Sequence, residues 1–207
     1  MKLCFFRSRN VFLSRKAEFT WGQSRSCLGN AYMIWRDDAL AYLGFCDDKR
    51  ELLKTLTAYG LENKSPSQNL SVKLFVETFI NYECLKRYTE KVTLALCATE
   101  FQKKVWTKIL EISWGTTCSY LEIAQAIGKA GAVRAVGKAC AHNPVAILIP
   151  CHRVIGRNSN LCNYRWGSWR KRYLLQMESK GTSSDSYNKR RQCRLIPDIS
   201  CSSDHPQ

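Results

Sequence analysis

The alternation of apolar and polar positions divides the chain near residue 98. Before it, "AYMIWRDDALAYLGF" (31–45) holds two apolar runs on either side of Arg36-Asp37-Asp38, which predicts two strands of a hairpin. "DDKRELLKTLTAYG" (47–60) predicts a helix: acids occupy its first turn, Leu52, Leu53 and Leu56 share one face, and Gly60 stops it. "ENKSPSQN" (62–69) reads as a polar loop, residues 70–88 as helical, and "VTLAL" (92–96) as a further strand. There is no internal repeat, and this half is a small α/β module with no chemistry legible in its residues.

After residue 98 the period becomes helical. In "ATEFQKKVWTKILEIS", Phe101, Val105, Ile109 and Ile112 form one stripe, Thr99 and Gln102 have capping-box spacing, and Trp114-Gly115 ends the run. "SYLEIAQAIG" (119–128) opens on a second capping box, Ser119 with Glu122, and stops at Gly128. "KAGA" makes a turn, and "VRAVGKACAHN" (133–143) is a second short helix ended by Asn143-Pro144. Two short helices about a Gly-containing turn have the pattern of a helix-turn-helix, which is also the pattern of a plain packing hairpin. The second helix is mostly small residues with Arg134 near its start. A small face lets backbone approach a nucleic-acid groove and an arginine reach into it. Close helix packing with a solvated Arg134 is the alternative.

Charge favours the first of these. The chain of 207 residues carries a formal +15, and residues 101–180 hold thirteen Lys/Arg against three Asp/Glu. Such a face suits a polyanion, a nucleic acid or an anionic membrane surface. With 45% hydrophobic residues the chain can bury a real core. No apolar run approaches the roughly 18–20 residues of a membrane span. The opening "MKLCFFRSRNVFLSRKAEF", poor in acids, is expected to be a basic extension over residues 1–18, and no secretory signal is legible. Eleven cysteines at irregular spacing, with no CxxC pair and only His142, His152 and His205 as histidines, argue for reduced thiols rather than a disulfide scaffold or a zinc site.

"VAILI" (145–149) predicts a buried strand that delivers Pro150-Cys151-His152 at its end. A thiolate, not a thiol, is the nucleophile, and His152 or the charge of Arg153 is placed to favour it. Adjacent residues of a strand point to opposite faces, however, so direct contact between Cys151 and His152 needs a turn or a bridging water. From these residues alone, Cys151 is either a nucleophile or a buried structural cysteine.

The segment "IPCHRVIG" resembles the active-site motif of the O6-alkylguanine-DNA alkyltransferases, also called methylated-DNA–protein-cysteine methyltransferases. "FQKKVW", "SYLEIAQAIG", "AVRAVGKACAHNP", "ILIPCHRV", "NYRWG" and "RKRYLLQME" follow in the family's order between Phe101 and Glu178, and "YRWG" is closest to the carboxy-terminal domain of bacterial Ada. The resemblance implies an α/β (α+β) fold: a ribonuclease-H-like module over 19–97 and a mainly helical DNA-binding alkyltransferase domain with a helix-turn-helix over 98–180; the tail over 181–207, rich in Ser and charge, is expected to be disordered. It implies Cys151 as alkyl acceptor, His152 taking its proton through a water, Glu178 orienting the imidazole, Asn143 fixing the active-site turn, and Tyr120 supplying a proton to the departing base. Arg134 would fill the gap left by an extruded nucleotide, on a DNA face with Ala132, Ala135, Gly137 and Lys138. Val154, Asn163, Tyr164 and Lys171 would belong to the substrate pocket, where Cys162, Arg165 and Trp166 replace the small residues usual in the family. The implied function is repair of alkylated guanine in double-stranded DNA by a single-use monomer, without cofactor or metal. Its place would be intracellular: the cytoplasm of a bacterium or the nucleus of a eukaryote.

Overall fold

The computed structural model describes residues 1–14, 17–67, 92–156, 161, 164–181 and 194–195. Strands β1 (Lys2–Phe6), β2 (Phe19–Ser26), β3 (Gly29–Arg36), β4 (Ala39–Phe45) and β5 (Thr93–Cys97) form one sheet in the order β1-β5-β4-β3-β2. The expected 31–45 hairpin is β3–β4, turning at Asp37, whose φ is 52° and whose carboxylate accepts from Glu18 N. Two further strands were not anticipated. The basic opening is not an extension: β1 pairs parallel with β5 from Lys2↔Thr93 to Phe6↔Cys97. Leu3 and Phe5 pack on one side of the sheet and Phe6 on the other, a period-two signal that the surrounding charges obscure. In β2 only Phe19, Trp21 and Gly22 are buried, so its apolar signal is short.

A helical turn α1 (Arg9–Phe12) follows β1, and α2 (Lys49–Ala58) follows β4. Asp48 caps α2 by accepting from Arg50 N, and Gly60 leaves it at φ 68°. Leu56 is buried, but Leu53, expected on the same face, is 53% exposed. The helical pattern at 70–88 lies outside the described residues.

The second half contains α3 (Glu100–Leu110), β6 (Thr116–Ser119), α4 (Tyr120–Ala126), α5 (Val133–Ala141), β7 (Val154–Ile155) and α6 (Ser168–Gly181). Both expected capping boxes close, at Thr99/Gln102 and at Ser119/Glu122. Gly128, at φ 71°, turns the chain from α4 toward α5, the two short helices of the expected hairpin. Trp106 of α3 is buried and donates its indole N–H to Ala139 O of α5 at 2.9 Å, pinning the hairpin to the core. In the tail, residues 194–195 pair with Thr117 and Thr116 of β6 as a two-residue strand β8, and its other residues beyond 181 lie outside the described ones. The fold is a mixed α+β one, as expected.

"VAILI" is not a strand. Val145 makes one bridge with Leu43, Ile147 has φ 65°, and Leu148 N and Cys151 N bond back to Ala146 O and Ile149 O at 2.6 and 2.7 Å. The run is buried from Val145 to Ile149 because it coils inside the core rather than crossing a sheet.

Trp106→Ala removes the largest fully buried side chain together with its hydrogen bond. It should cost about 3–5 kcal/mol in denaturant unfolding. A loss under about 1 kcal/mol would mean that the indole does not hold the α3–α5 contact.

Candidate active site

The coiled run places Cys151 at the start of a 3-10 turn, Cys151–Arg153, so the strand objection to a Cys151–His152 partnership disappears. Asn143, fully buried just past α5, organises that run. Its side-chain Oδ1 accepts from Val145 N at 2.9 Å, while its Nδ2 donates to Ile149 O at 2.9 Å and to Cys151 Sγ at 3.1 Å. One carboxamide thus satisfies the backbone at both ends of the coil and touches the sulfur.

Behind the thiol lies a buried charge cluster. His152 Nε2 is 2.7 Å from Glu178 Oε1, on α6. Arg153 donates through Nε and Nη2 to the same carboxylate at 2.9–3.1 Å and through Nη1 to Ile112 O, with its guanidinium over the Trp114 ring. Gly115 N adds a longer bond to Glu178 at 3.3 Å. Burial opposes ionisation of Glu178, but His152 and Arg153 outweigh it and hold the carboxyl at about 2. Burial also dominates at His152 and pushes the imidazole below its ordinary 6.5, despite the neighbouring carboxylate. A neutral imidazole lends Glu178 a hydrogen bond but no net charge, so at neutral pH the positive charge facing the carboxylate is that of the Arg153 guanidinium. With Nε2 committed to Glu178, Nδ1 is the imidazole nitrogen left for proton exchange; it is buried and has no hydrogen-bond partner among the described residues.

Burial raises the Cys151 thiol to about 11, partly offset by the Asn143 hydrogen bond, then by Lys171 and, more weakly, Arg165. Lys171 is buried and donates Nζ to Val154 O at 2.7 Å, bracing the strand that follows the nucleophile. Tyr164 is buried with its ring edge-on to His152 and Trp166.

The structure therefore gathers Cys151, His152, Glu178, Asn143, Val154, Tyr164 and Lys171 around one centre. Tyr120 is half-buried at the start of α4, and its ring lies 4.0 Å from where a Gly137 side chain would begin, so it meets the small face of α5. Arg134 and Lys138 are exposed on α5, with Ala132, Ala135 and Gly137 half-buried beside them. Asn163 lies outside the described residues. The reading of single residues missed the clamp of Arg153 on Glu178: Arg153 was legible as a charge beside the thiol, but its partner is 25 positions away. Among the described residues no group of His, Cys, Asp and Glu could hold a metal ion, and no helix is long and apolar enough to cross a membrane.

Glu178 titrates lower in the folded than in the unfolded chain, so the stability it lends is present above about 4.5 and is lost as pH falls toward 2. His152 is held below 6.5, so the unfolded chain takes up that proton first and stability falls as pH drops below 6.5. Thermal unfolding should show the Tm declining through both ranges, with Glu178→Gln removing the lower one. A wild-type Tm that stays flat from pH 7 to pH 3 would contradict both assignments.

The family model described as "6-O-methylguanine DNA methyltransferase, DNA binding domain" matches residues 100–180. A mimivirus protein named probable methylated-DNA–protein-cysteine methyltransferase is 50% identical over 95 residues, covering 46% of this chain and 63% of that protein. The chain thus spans under two thirds of that relative's length. A Saccharomyces cerevisiae methylated-DNA–protein-cysteine methyltransferase is 43% identical over 168 residues, covering 74% of this chain and 89% of the yeast protein. Among solved structures, a Mycobacterium tuberculosis homologue described as in complex with DNA superposes with a TM-score of 0.59 at 33% identity, over 77% of this chain and 92% of that one. On the extent of the yeast match and of this superposition, the chain belongs to the methylated-DNA–protein-cysteine methyltransferase family.

Proposed function

We propose that this protein reverses alkylation damage by moving a methyl or other alkyl group from O6 of guanine, and less readily from O4 of thymine, in double-stranded DNA to Cys151. The observation that carries this reading is the thiol of Cys151 held at 3.1 Å by Asn143 and followed directly by the buried His152–Glu178 pair. A thiol near 11 is protonated at rest, so transfer requires a base at the moment of attack. His152, neutral and with Nδ1 available, takes that proton through a water, and Glu178 stabilises the imidazolium that forms. The sulfur displaces the guanine oxygen from the alkyl carbon: a C–S bond forms as the C–O bond breaks, and Tyr120 supplies a proton to the departing base. The product is a thioether that none of these groups hydrolyses, so each molecule acts once and needs no cofactor.

O6 of guanine lies inside the duplex, and flipping the nucleotide out costs a few kcal/mol. Arg134 projects from α5 with no ion pair among the described residues and fills the vacated stack. Lys138 and the small residues Ala132, Ala135 and Gly137 let the helix lie close to the minor groove, and the positive charge of 101–180 binds phosphates. Val154, Asn163, Tyr164 and Lys171 receive the flipped base, while Trp166 narrows that pocket toward small alkyl groups. The protein acts as a monomer, in whichever intracellular compartment holds the DNA.

Incubation with duplex DNA containing O6-methylguanine should raise the intact mass by one methylene, and Cys151→Ser should abolish the gain. Binding with no mass change would leave a damage-recognition protein and refute transfer. Arg134→Ala should slow reaction with duplex DNA about tenfold or more while sparing reaction with the free base; equal losses on both would refute its role as the finger.

A further inference from the structure

The turn that carries Cys151 is held from outside as well as from within. Strand β4 leaves β5 after a single pairing, Leu40↔Leu94, and its backbone goes instead to the active-site run. Leu43 N donates to Pro144 O at 3.0 Å, and Ala146 N donates to Leu43 O at 2.7 Å. These bonds bracket the residues that follow Asn143. The third attachment is a side chain: Arg165 Nη1 donates to Asn143 O at 3.0 Å. Its guanidinium lies 5.9 Å from the Tyr42 ring centroid on β4 and 5.5 Å from that of Trp166. Trp166 is fixed in turn. Its carbonyl accepts from the buried Arg170 at 2.7 Å, and Arg170 also donates to Leu28 O and to Asp47, both in the amino-terminal half. Gly44 makes this packing possible, because a Cβ there would overlap the Tyr42 hydroxyl and stand 2.7 Å from Trp166 Nε1.

We infer that Arg165 is a positioning residue for the nucleophile, tying Asn143 to the β4 platform so that the amino-terminal sheet sets the reactivity of Cys151. The inference rests on the alkyl-transfer reading for its biological meaning, but its physical content concerns the thiol alone. Arg165 touches neither sulfur nor imidazole in any contact described above. It acts on the backbone carbonyl of the residue whose carboxamide bonds the sulfur, and its positive charge favours the thiolate at the same time. The residue is largely exposed, so its charge is screened and the hydrogen bond is the larger part of its effect. Arg165 stands where the family usually has a small pocket-loop residue, and its hydrogen bond to Asn143 O gives that departure a task.

The experiment measures carbamidomethylation of Cys151 by iodoacetamide across pH in the full chain, with peptide mass mapping to separate it from the other ten cysteines. Methyl transfer from O6-methylguanine duplex and duplex affinity are measured alongside. Arg165→Gln should move the Cys151 rate–pH profile upward by about half to one pH unit, which makes alkylation about three- to tenfold slower below the midpoint. Methyl transfer should slow in parallel at unchanged duplex affinity. Arg165→Lys should restore part of the loss, and Gly44→Ala, which pushes Trp166 off the platform, should shift the profile in the same direction. An unchanged profile in Arg165→Gln overturns the inference. So does a loss confined to duplex affinity and its salt dependence, which would make Arg165 a phosphate contact. If the wild type takes no methyl group from DNA, the functional reading fails, while the iodoacetamide profile still decides the role of Arg165.

Discussion

The structure around Cys151 depends on one buried carboxamide. A run as apolar as Val145–Ile149 can be buried in a sheet, where neighbouring strands satisfy its backbone, or in a coil, where something else must. Asn143 is that something: it closes Val145 N and Ile149 O with one side chain and has a proton left for the sulfur. Removing it would strand the buried Val145 N, at about 1–3 kcal/mol, and take one of the two donors from Ile149 O, which keeps its bond from Cys151 N. The coil, the exit of α5 and the placement of the thiol would be disturbed together. Fold stability and sulfur placement therefore share a single residue.

The charge cluster behind the thiol follows from the same constraint of burial. Glu178 and His152 are almost fully inside, where an unpaired charge is prohibitive. The carboxylate is tolerated because Arg153 meets it with three close nitrogen–oxygen contacts and Gly115 adds a backbone donor. That leaves the imidazole neutral, hydrogen-bonded and able to accept a proton. Lys171 and Arg165 supply positive potential from other directions, so a thiol that burial would otherwise silence keeps a route to ionisation.

The two halves of the chain are not independent supports. Arg170, buried on α6, reaches Leu28 O and Asp47 in the amino-terminal half and stacks on Trp169 and Phe45. Gly29 has no side chain where that guanidinium passes, since a Cβ there would lie 2.8 Å from Nη2. The same helix carries Lys171 and Glu178 to the nucleophile. The sheet, which has no chemistry legible in its residues, thus sets where the reactive groups stand.

Much of this was readable along the chain, and the boundary of what was readable has a physical cause. Capping boxes at Thr99 and Ser119, the glycine stops, the β3–β4 hairpin and the adjacency of Cys151 and His152 are local, decided by residues within a few positions of one another. The order of motifs also singled out Glu178, Tyr120 and Arg134, by resemblance, as the residues for which roles are proposed. The strand expected at 145–149 failed because an apolar run records burial but not the partner that satisfies its backbone, and that partner was the Asn143 side chain. β1 was hidden because its partner, β5, lies some ninety residues away. The grip of Arg153 on Glu178, the clasp of Arg170 and the hold of Arg165 on Asn143 join residues 22 to 142 positions apart. The sequence by itself determined the capped helices, the β3–β4 hairpin and the candidate reacting residues. Only the tertiary structure decided which charges neutralise one another in the core, because that depends on which distant side chains are excluded from water together.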